Sequence, residues 1–141
     1  MSCALERWHA ICEERNPAAL DTLIAENAVF FSPVVYTPQA GKAKVIGYLK
    51  AAAEILFNDS FRYVRELRGT DEAMLEFTVT IEGIEVNGID LIRFDEDGMI
   101  VDFAVLARPP NAVAALKDAM MIAAGPKLAA LKVKQAFGLS Q

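Results

Sequence analysis

The sequence predicts a single α+β domain, in which helices come first, an antiparallel strand meander follows and further helices end the chain. Three observations support this fold class. The length of 141 residues suits one compact domain, apolar residues recur at helical spacing up to about residue 57, and the period changes to two from about residue 61. We expect residues 1–141 to form this domain, with residues 109–137 as a C-terminal helical extension.

The N-terminal half predicts three helices and one strand. Leu5, Trp8, Ile11 and Cys12 recur on one face of a first amphipathic helix, which ends before Pro17. Because Asn and Pro favour the start of a helix, a second short helix is expected at about residues 17–26. A strand is predicted at residues 28–32 and a third helix at residues 42–57, after a loop punctuated by proline and glycine.

The C-terminal half predicts a four-stranded meander followed by two helices. The strands are expected at residues 61–65, 74–82, 86–95 and 99–108, with turn-forming residues between them. Pro109 and Pro110 end the meander. Two alanine-rich helices are then expected at residues 111–124 and 126–137, with Gly125 and Pro126 as the break.

The last hairpin can be placed in register. If the turn lies at Asp97-Gly98, the numbers of paired residues sum to 195. One face of the sheet then carries the pairs Arg93 with Asp102, Leu91 with Ala104 and Ile89 with Leu106. The other face carries Asp90 with Val105, Ile92 with Phe103 and Phe94 with Val101. One acid, Asp90, therefore lies among large apolar side chains.

Asp90 is the main candidate for chemistry. Ionising a carboxyl group on an apolar, helix-covered face costs desolvation energy, so either its pKa rises or a hydrogen-bond donor pairs with it. One interpretation is a structural acid that binds a loop amide or Trp8. The other is a ligand-binding or proton-transfer group. A third possibility is that the strand phase is wrong.

The opposite face of the sheet predicts an interface. Val64, Ile89, Leu91, Ala104 and Leu106 are expected to form an apolar strip bordered by Glu66, Arg68, Arg93 and Asp102. Monomers seldom leave such a patch exposed, so a homodimer through the outer sheet face is predicted. The C-terminal helices could instead cover the strip, close a pocket or extend the dimer.

Charge and motifs exclude several classes of function. The net charge of −5 would repel a phosphate backbone, so nucleic acid is not expected as a partner. Glu6 and Arg7 interrupt any apolar signal sequence and no segment reaches the roughly 20 apolar residues of a membrane span, so we expect a cytoplasmic protein with no membrane partner.

His9 is the only histidine and is expected to be packed or at the surface. A multi-histidine metal site is excluded, and no metal or cofactor is expected.

The order of elements and three segments of the sequence resemble the nuclear transport factor 2-like superfamily, which includes SnoaL-like polyketide cyclases and ketosteroid isomerase. The segments are WHAI at residues 8–11, AVFFSP at residues 28–33 and IDLIRFDEDGMI at residues 89–100. The resemblance covers residues 4 to about 110. It implies a cystatin-like cone, in which a curved antiparallel sheet wraps around the N-terminal helices and encloses an apolar pocket, with extra C-terminal helices.

The resemblance also implies roles for individual residues. Asp90 matches the acid that stays protonated and stabilises an oxyanion in ketosteroid isomerase. Trp8 falls where the isomerase has a tyrosine donor, and Ser32 falls where it has its base. A serine hydroxyl cannot abstract an α-proton unaided, so this departure argues against steroid isomerisation. Tyr36 lies in the loop where relatives have a pocket rim, and either contact with the rim or ordinary loop packing is expected. The apolar residues Phe77, Val79, Ile92, Phe103 and Val105 are expected to line the pocket or to be plain core residues.

The sequence therefore predicts a protein that binds a small, largely apolar organic molecule in its cone. The catalytic hypothesis is proton transfer without a cofactor, as in a cyclase, isomerase or dehydratase, with Asp90 as acid or base. The alternative is a binding or dimerisation module without turnover. A cavity of roughly 300 Å³ or more that exposes Asp90 would favour a ligand function.

Overall fold

The computed structural model describes the backbone of residues 2–136 and the side chains of residues 4–123. The helices are α1 (Ser2–Glu14), a short 3-10 helix (Pro17–Thr22), α2 (Lys42–Leu56) and α3 (Pro110–Ala136). The strands are β1 (Ile24–Phe31), β2 (Gln39–Ala40), β3 (Arg62–Arg68), β4 (Glu72–Ile81), β5 (Ile84–Phe94) and β6 (Ile100–Arg108). The predicted α+β class is confirmed. No helix in the described part of the chain is long and apolar enough to cross a membrane.

The strands form one curved sheet in the order β2-β1-β6-β5-β4-β3. The meander from β3 to β6 is antiparallel, as predicted. The whole sheet is mixed, because β1 pairs with β6 in parallel. The chain between β1 and β6 includes α2 and four strands, and a connection of that length lets the two strands run in the same direction.

The register predicted for the last hairpin is confirmed over most of its length. Arg93 pairs with Asp102, Asp90 with Val105 and Ile89 with Leu106. The prediction is wrong at the turn, where Phe94 pairs with Ile100 and not with Val101. A bulge between residues 93 and 94 causes this shift of one residue, and the inward direction of Asp90 does not depend on it.

The predicted second helix is shorter than expected and β1 is longer. Helical structure ends at Thr22, and the strand begins at Ile24, where the backbone N–H of Ile100 donates to the carbonyl oxygen of Leu23 over 2.8 Å. Leu23 and Ile24 are fully buried, so the apolar residues that suggested a helix face enter the core from a strand. The two-residue strand β2, which pairs with β1, was not predicted because it is too short to show a period.

The C-terminal region forms one helix where two were expected. α3 runs through Gly125 and Pro126, although a proline inside a helix removes one backbone hydrogen bond. Alanine has the strongest helix propensity, and the alanines on both sides of the Gly-Pro pair favour continuation. Residue 137, at the end of the second predicted helix, lies outside the described residues.

Helices cover the inner face of the sheet. The ring of Trp8 on α1 lies 5.0 Å from that of Phe103, and the ring of Tyr48 on α2 stacks on Phe30 at 5.1 Å. The first turns of α3 pack on the same face at the other end of the sheet, where Ala112 and Leu116 join a separate core cluster. The first turns of α3 therefore lie on the inner face of the sheet and do not cover its outer face.

The outer face carries exposed apolar side chains, in part as predicted. Val64 is 56% exposed, Leu67 55%, Leu91 42% and Leu106 53%. Leu67 joins this outer strip in place of the predicted border residues Glu66 and Arg68. Their placement on the outer face is wrong because a bulge between Tyr63 and Arg65 reverses the phase of the rest of β3. Glu66 then pairs with Leu75, a fully buried residue of the inner face.

Candidate functional site

Asp90 lies in the middle of β5 and points to the inner face of the sheet. Its cross-strand neighbours are Leu75 on β4 and Val105 on β6, and only 6% of its surface is exposed. Burial disfavours the ionised form, so desolvation raises the pKa of Asp90 from 3.8 to about 7, while a hydrogen bond from Tyr63 opposes the rise. The carboxyl group can therefore gain or lose a proton near neutral pH.

Tyr63 on β3 is the hydrogen-bond partner of this carboxyl group. The Tyr63 hydroxyl donates to Oδ2 of Asp90 over 2.6 Å, and Nε1 of Trp8 donates to the Tyr63 hydroxyl oxygen over 3.2 Å. The hydrogen-bond partner of Asp90 is therefore neither a loop amide nor Trp8, which are the two partners predicted for a structural acid. Trp8 has a single N–H, and because Tyr63 accepts it, Trp8 reaches the carboxyl group only through Tyr63.

Tyr63 acts as a fixed donor in this network. Its pKa is raised well above 10, mainly by burial and further by the negative charge of Asp90. The hydroxyl therefore keeps its proton wherever Asp90 titrates. The Cys12 thiol lies in the same environment, and burial, followed by the charge of Asp90, raises its pKa too. A protonated thiol is a poor nucleophile, so Asp90 is the group of this network that titrates near neutrality.

The second oxygen of Asp90 has no hydrogen-bond partner among the described residues. Tyr63 binds Oδ2, and no described residue binds Oδ1. No fully buried polar side-chain atom among the described residues lacks a hydrogen-bond partner, so Oδ1 is not sealed in the core. Asp90 lines a cavity, and Oδ1 is the atom available to a molecule in that cavity.

This cavity has a volume of about 390 Å³ and lies between the sheet, α1, the 3-10 helix and α2. The volume falls within the range of roughly 300–1,000 Å³ that is usual for small-molecule sites. The walls are mainly apolar and aromatic. They include Trp8, Ile11, Leu20, Leu49, Leu56, Phe57, Phe61, Phe103 and Val105.

The solvent end of the cavity is charged. Four exposed residues line it, and these are Arg15, Asn16, Lys50 and Glu54. Because the buried lining residues are apolar apart from Asp90, the cavity has a charged rim and an apolar interior that ends in one carboxyl group. Such a shape accepts a small molecule whose inner end has a hydrogen-bonding or proton-exchanging group.

The structure brings four of the predicted site residues together. Asp90, Trp8, Phe103 and Val105 all line the cavity. Ile92 is fully buried in the main core cluster, which also contains Trp8 and Leu49, and it is not part of the cavity lining. Phe103, which faces Ile92 across the two strands, presents its ring to Trp8 and to the cavity.

The other predicted pocket residues lie elsewhere. Phe77 and Val79 belong to the separate core cluster that contains Ala112 and Leu116 of α3. The Phe77 ring covers Gly88 so closely that a Cβ atom there would lie 2.3 Å from it. Ser32 caps its own loop, since its Oγ accepts hydrogen bonds from the backbone N–H groups of residues 34 and 35. Tyr36 is fully exposed and is not part of the cavity lining.

Sequence reasoning did not identify Tyr63 or the charged rim. The available signal for Tyr63 was its place in a predicted strand, two residues after Phe61 and thus on the same face. The pairing of Tyr63 with Phe77, which brings its hydroxyl to Asp90, depends on the bulge that follows it. The rim residues come from the ends of two helices whose relative position the sequence does not specify.

His9 packs beside the site and does not face the cavity. Its ring meets the edge of Tyr63 at 5.7 Å, and its Nε2 lies 2.6 Å from a carboxylate oxygen of Glu66. The described residues contain no group of three or more histidine, cysteine, aspartate or glutamate side chains arranged to hold a metal ion.

The fold and the site together define a class: α+β cones in which a curved sheet and helices enclose an apolar cavity with a carboxyl group at its inner end. The chain belongs to the SnoaL-like domain family, whose model matches residues 5–103. The predicted membership of the nuclear transport factor 2-like superfamily is thus confirmed.

Solved structures agree with this assignment. A steroid delta-isomerase from Pseudomonas aeruginosa is similar to this chain with 35% identity and a TM-score of 0.82, over 94% of this chain and 93% of that protein. An uncharacterized protein with a cystatin-like fold from Silicibacter pomeroyi has 30% identity and a TM-score of 0.76, over 83% and 82% of the two chains. The comparison with curated proteins gives no significant match.

Proposed function

We propose that this protein binds a small, largely apolar organic molecule in its cone and that Asp90 exchanges a proton with it. The observation that carries the proposal is the position of Asp90, a buried carboxyl group with a pKa raised to about 7 that lines a cavity of about 390 Å³. A proton-transfer group works best when its pKa lies near the working pH.

The chemistry requires no cofactor. As a base, ionised Asp90 takes the α-proton of a carbonyl compound, and the electron pair of the C–H bond moves onto the carbonyl oxygen to give an enolate. The proton then returns to the same carbon or to a conjugated one. Protonated Asp90 can instead donate to the carbonyl oxygen. Trp8, Phe103 and Val105 supply the apolar walls, and Tyr63 holds the carboxyl group in place.

The similarity to a steroid delta-isomerase supports double-bond isomerisation as one form of this chemistry. The predicted base position does not support it, because the Ser32 hydroxyl caps a loop and does not line the cavity. Cyclisation and dehydration, which also require transfer of an α-proton, remain within the proposal. In any such reaction Asp90 has to transfer the proton alone, because no second buried acid is found among the described lining residues.

The presence of a single buried acid also favours a second candidate function, a binding module without turnover.

Hydrogen exchange at the α-carbon of a ligand distinguishes proton transfer by the protein from binding alone. A β-dicarbonyl compound and a β,γ-unsaturated ketone are incubated with the protein in D₂O, and NMR follows the loss of the α-proton signal. We expect catalysed exchange that increases as the pH rises through about 7, and a loss of roughly 100-fold or more in Asp90→Asn.

Asp102→Asn is the matched control, because it removes a carboxylate from the neighbouring strand β6, where Asp102 pairs with Arg93 on the outer face. It should leave the exchange rate unchanged. Trp8 is the only tryptophan and lines the cavity, so its fluorescence reports binding independently. Binding without exchange would support the non-catalytic module, and exchange that survives in Asp90→Asn would contradict proton transfer by Asp90.

We also propose that the protein forms a homodimer through the outer strip, with the large apolar side chains of Val64, Leu67, Leu91 and Leu106 at its centre. Each of them is more than 40% exposed, and the first turns of α3 pack on the opposite face of the sheet. Burial of such a patch between two copies would remove it from water. The cytoplasmic location stays a prediction.

A further inference from the structure

The rim of the cavity carries more positive than negative charge, although the chain as a whole has a net charge of −5. Arg15 and Lys50 are the cations and Glu54 is the carboxylate among the described rim residues. Arg15 lies just after the last residue of α1, and Lys50 lies on α2, so the two cations reach the same cavity from different elements.

The hydrogen bonds of Arg15 do not neutralise its charge. Its Nη1 donates to the carbonyl oxygen of Phe57 over 2.6 Å, and its Nη2 donates to that of Asn58 over 3.3 Å. Both acceptors are neutral backbone groups. They fix the guanidinium group at the rim and leave further N–H donors free, since arginine has five.

Lys50 adds a second positive charge at this rim. Its side chain is exposed, and no carboxylate of a described residue forms an ion pair with it. Asn16, which also lines the cavity, contributes an amide that can donate a hydrogen bond. The rim thus presents three side chains that can donate hydrogen bonds to an anion.

The inner end of the cavity, unlike the rim, disfavours a negatively charged group. Asp90 presents a carboxyl oxygen, and the surrounding walls are apolar, so a second negative charge there would be desolvated and repelled by ionised Asp90. An anionic group on a ligand is therefore stable only at the solvent end, where water still reaches it.

From this separation we infer that the ligand is an apolar molecule bearing a carboxylate, which sits at the rim between Arg15 and Lys50 while the apolar body extends toward Asp90. This inference rests on the proposed function and deepens it, because it assigns the chemical class of the ligand and its orientation. Arg15 and Lys50 are then binding residues that select for charge.

A pair of probes that differ only in charge tests the inference. 4-Phenylbutyrate and 4-phenylbutanamide are titrated separately into the protein at pH 7.5 and low ionic strength, and Trp8 fluorescence excited at about 295 nm reports binding. We expect the acid to bind about fivefold more tightly than the amide, which is the combined size expected of two solvent-exposed ion pairs. Added salt should reduce this preference.

The variants Arg15→Gln, Lys50→Gln and the double variant identify the source of the preference. The double variant should bind acid and amide equally. Two matched controls keep the preference: Arg62→Gln, which removes an arginine that also donates to backbone carbonyl groups, and Lys44→Gln, which removes another lysine of α2. Neither Arg62 nor Lys44 lines the cavity.

The outcomes separate this inference from the proposed function. If the amide binds as tightly as the acid, or if the double variant keeps the preference for the acid, the inference is overturned, and the proposed function stands because a neutral apolar probe still binds. If neither probe changes Trp8 fluorescence up to millimolar concentration, ligand binding in the cone is contradicted and the inference fails with it.

Discussion

At the scale of single residues, the protein keeps a carboxyl group where its charge is unfavourable. Desolvation raises the pKa of Asp90 from 3.8 to about 7, and the hydrogen bond from Tyr63 limits the rise. The folded state thus holds this proton more tightly than the unfolded chain does. The corresponding contribution to stability is complete below about pH 4 and is lost as the pH rises through about 7.

Asp90→Asn should therefore stabilise the protein in a pH-dependent way. An amide of the same shape carries no charge at any pH, so the free energy of unfolding of the variant should match that of the wild type near pH 4. By pH 8 it should exceed the wild-type value by up to about 4 kcal/mol, which is the equivalent of three pKa units. Urea unfolding at the two pH values measures the difference.

Asp102→Asn serves again as the control for this stability measurement. It removes a carboxylate that accepts a hydrogen bond from Arg93 over 2.7 Å, so it should lose stability at pH 8 and not gain it. A difference between Asp90→Asn and wild type that stays the same at pH 4 and pH 8 would show that burial does not shift the proton equilibrium of Asp90.

At the scale of helices and strands, the sequence predicts the regular alternation of residues between the two faces of a strand. It does not predict the bulges that interrupt this alternation. The alternation along β5 and β6 gave the correct inward direction of Asp90, because cross-strand pairs alternate strictly between two faces. The bulge in β3 has no such signal. Tyr63 precedes the bulge and lies on the inner face, and the bulge turns Glu66 and Arg68 to that face as well, although strict alternation places these two residues on the outer face.

The helices show the same limit for the candidate site. The periodic spacing predicted α1 and α2, and with them Trp8 on a buried face. The cavity, however, arises where the ends of α1 and α2 meet, and this arrangement depends on contacts between residues far apart in the sequence. Arg15 illustrates it, since its partners Phe57 and Asn58 lie more than 40 residues away.

At the scale of the whole molecule, the sheet separates two functions between its two faces. The inner face, together with α1 and α2, encloses the cavity, whereas the outer face carries the outer strip. Since the first turns of α3 pack on the inner side, they do not compete with a second copy for the outer strip.

The dimer proposal is tested by the oligomeric state. Wild-type protein should sediment as a dimer at micromolar concentration, and Leu106→Glu should sediment as a folded monomer, because a charge in the middle of the outer strip would be buried without a partner. Thr80→Glu, an exposed position near the end of β4 and outside the outer strip, should remain dimeric. A monomeric wild type would contradict the proposal.

The central claim is that Asp90 is a carboxyl group that is still partly protonated at neutral pH and open to the cone. The most direct test is an NMR titration of the aspartate side-chain carboxyl carbons in ¹³C-labelled protein, with Asp90→Asn to assign the signal. We expect one aspartate with a midpoint near pH 7, absent from the variant. If every aspartate of the wild-type protein titrates below about pH 5, near the ordinary value, the account is contradicted.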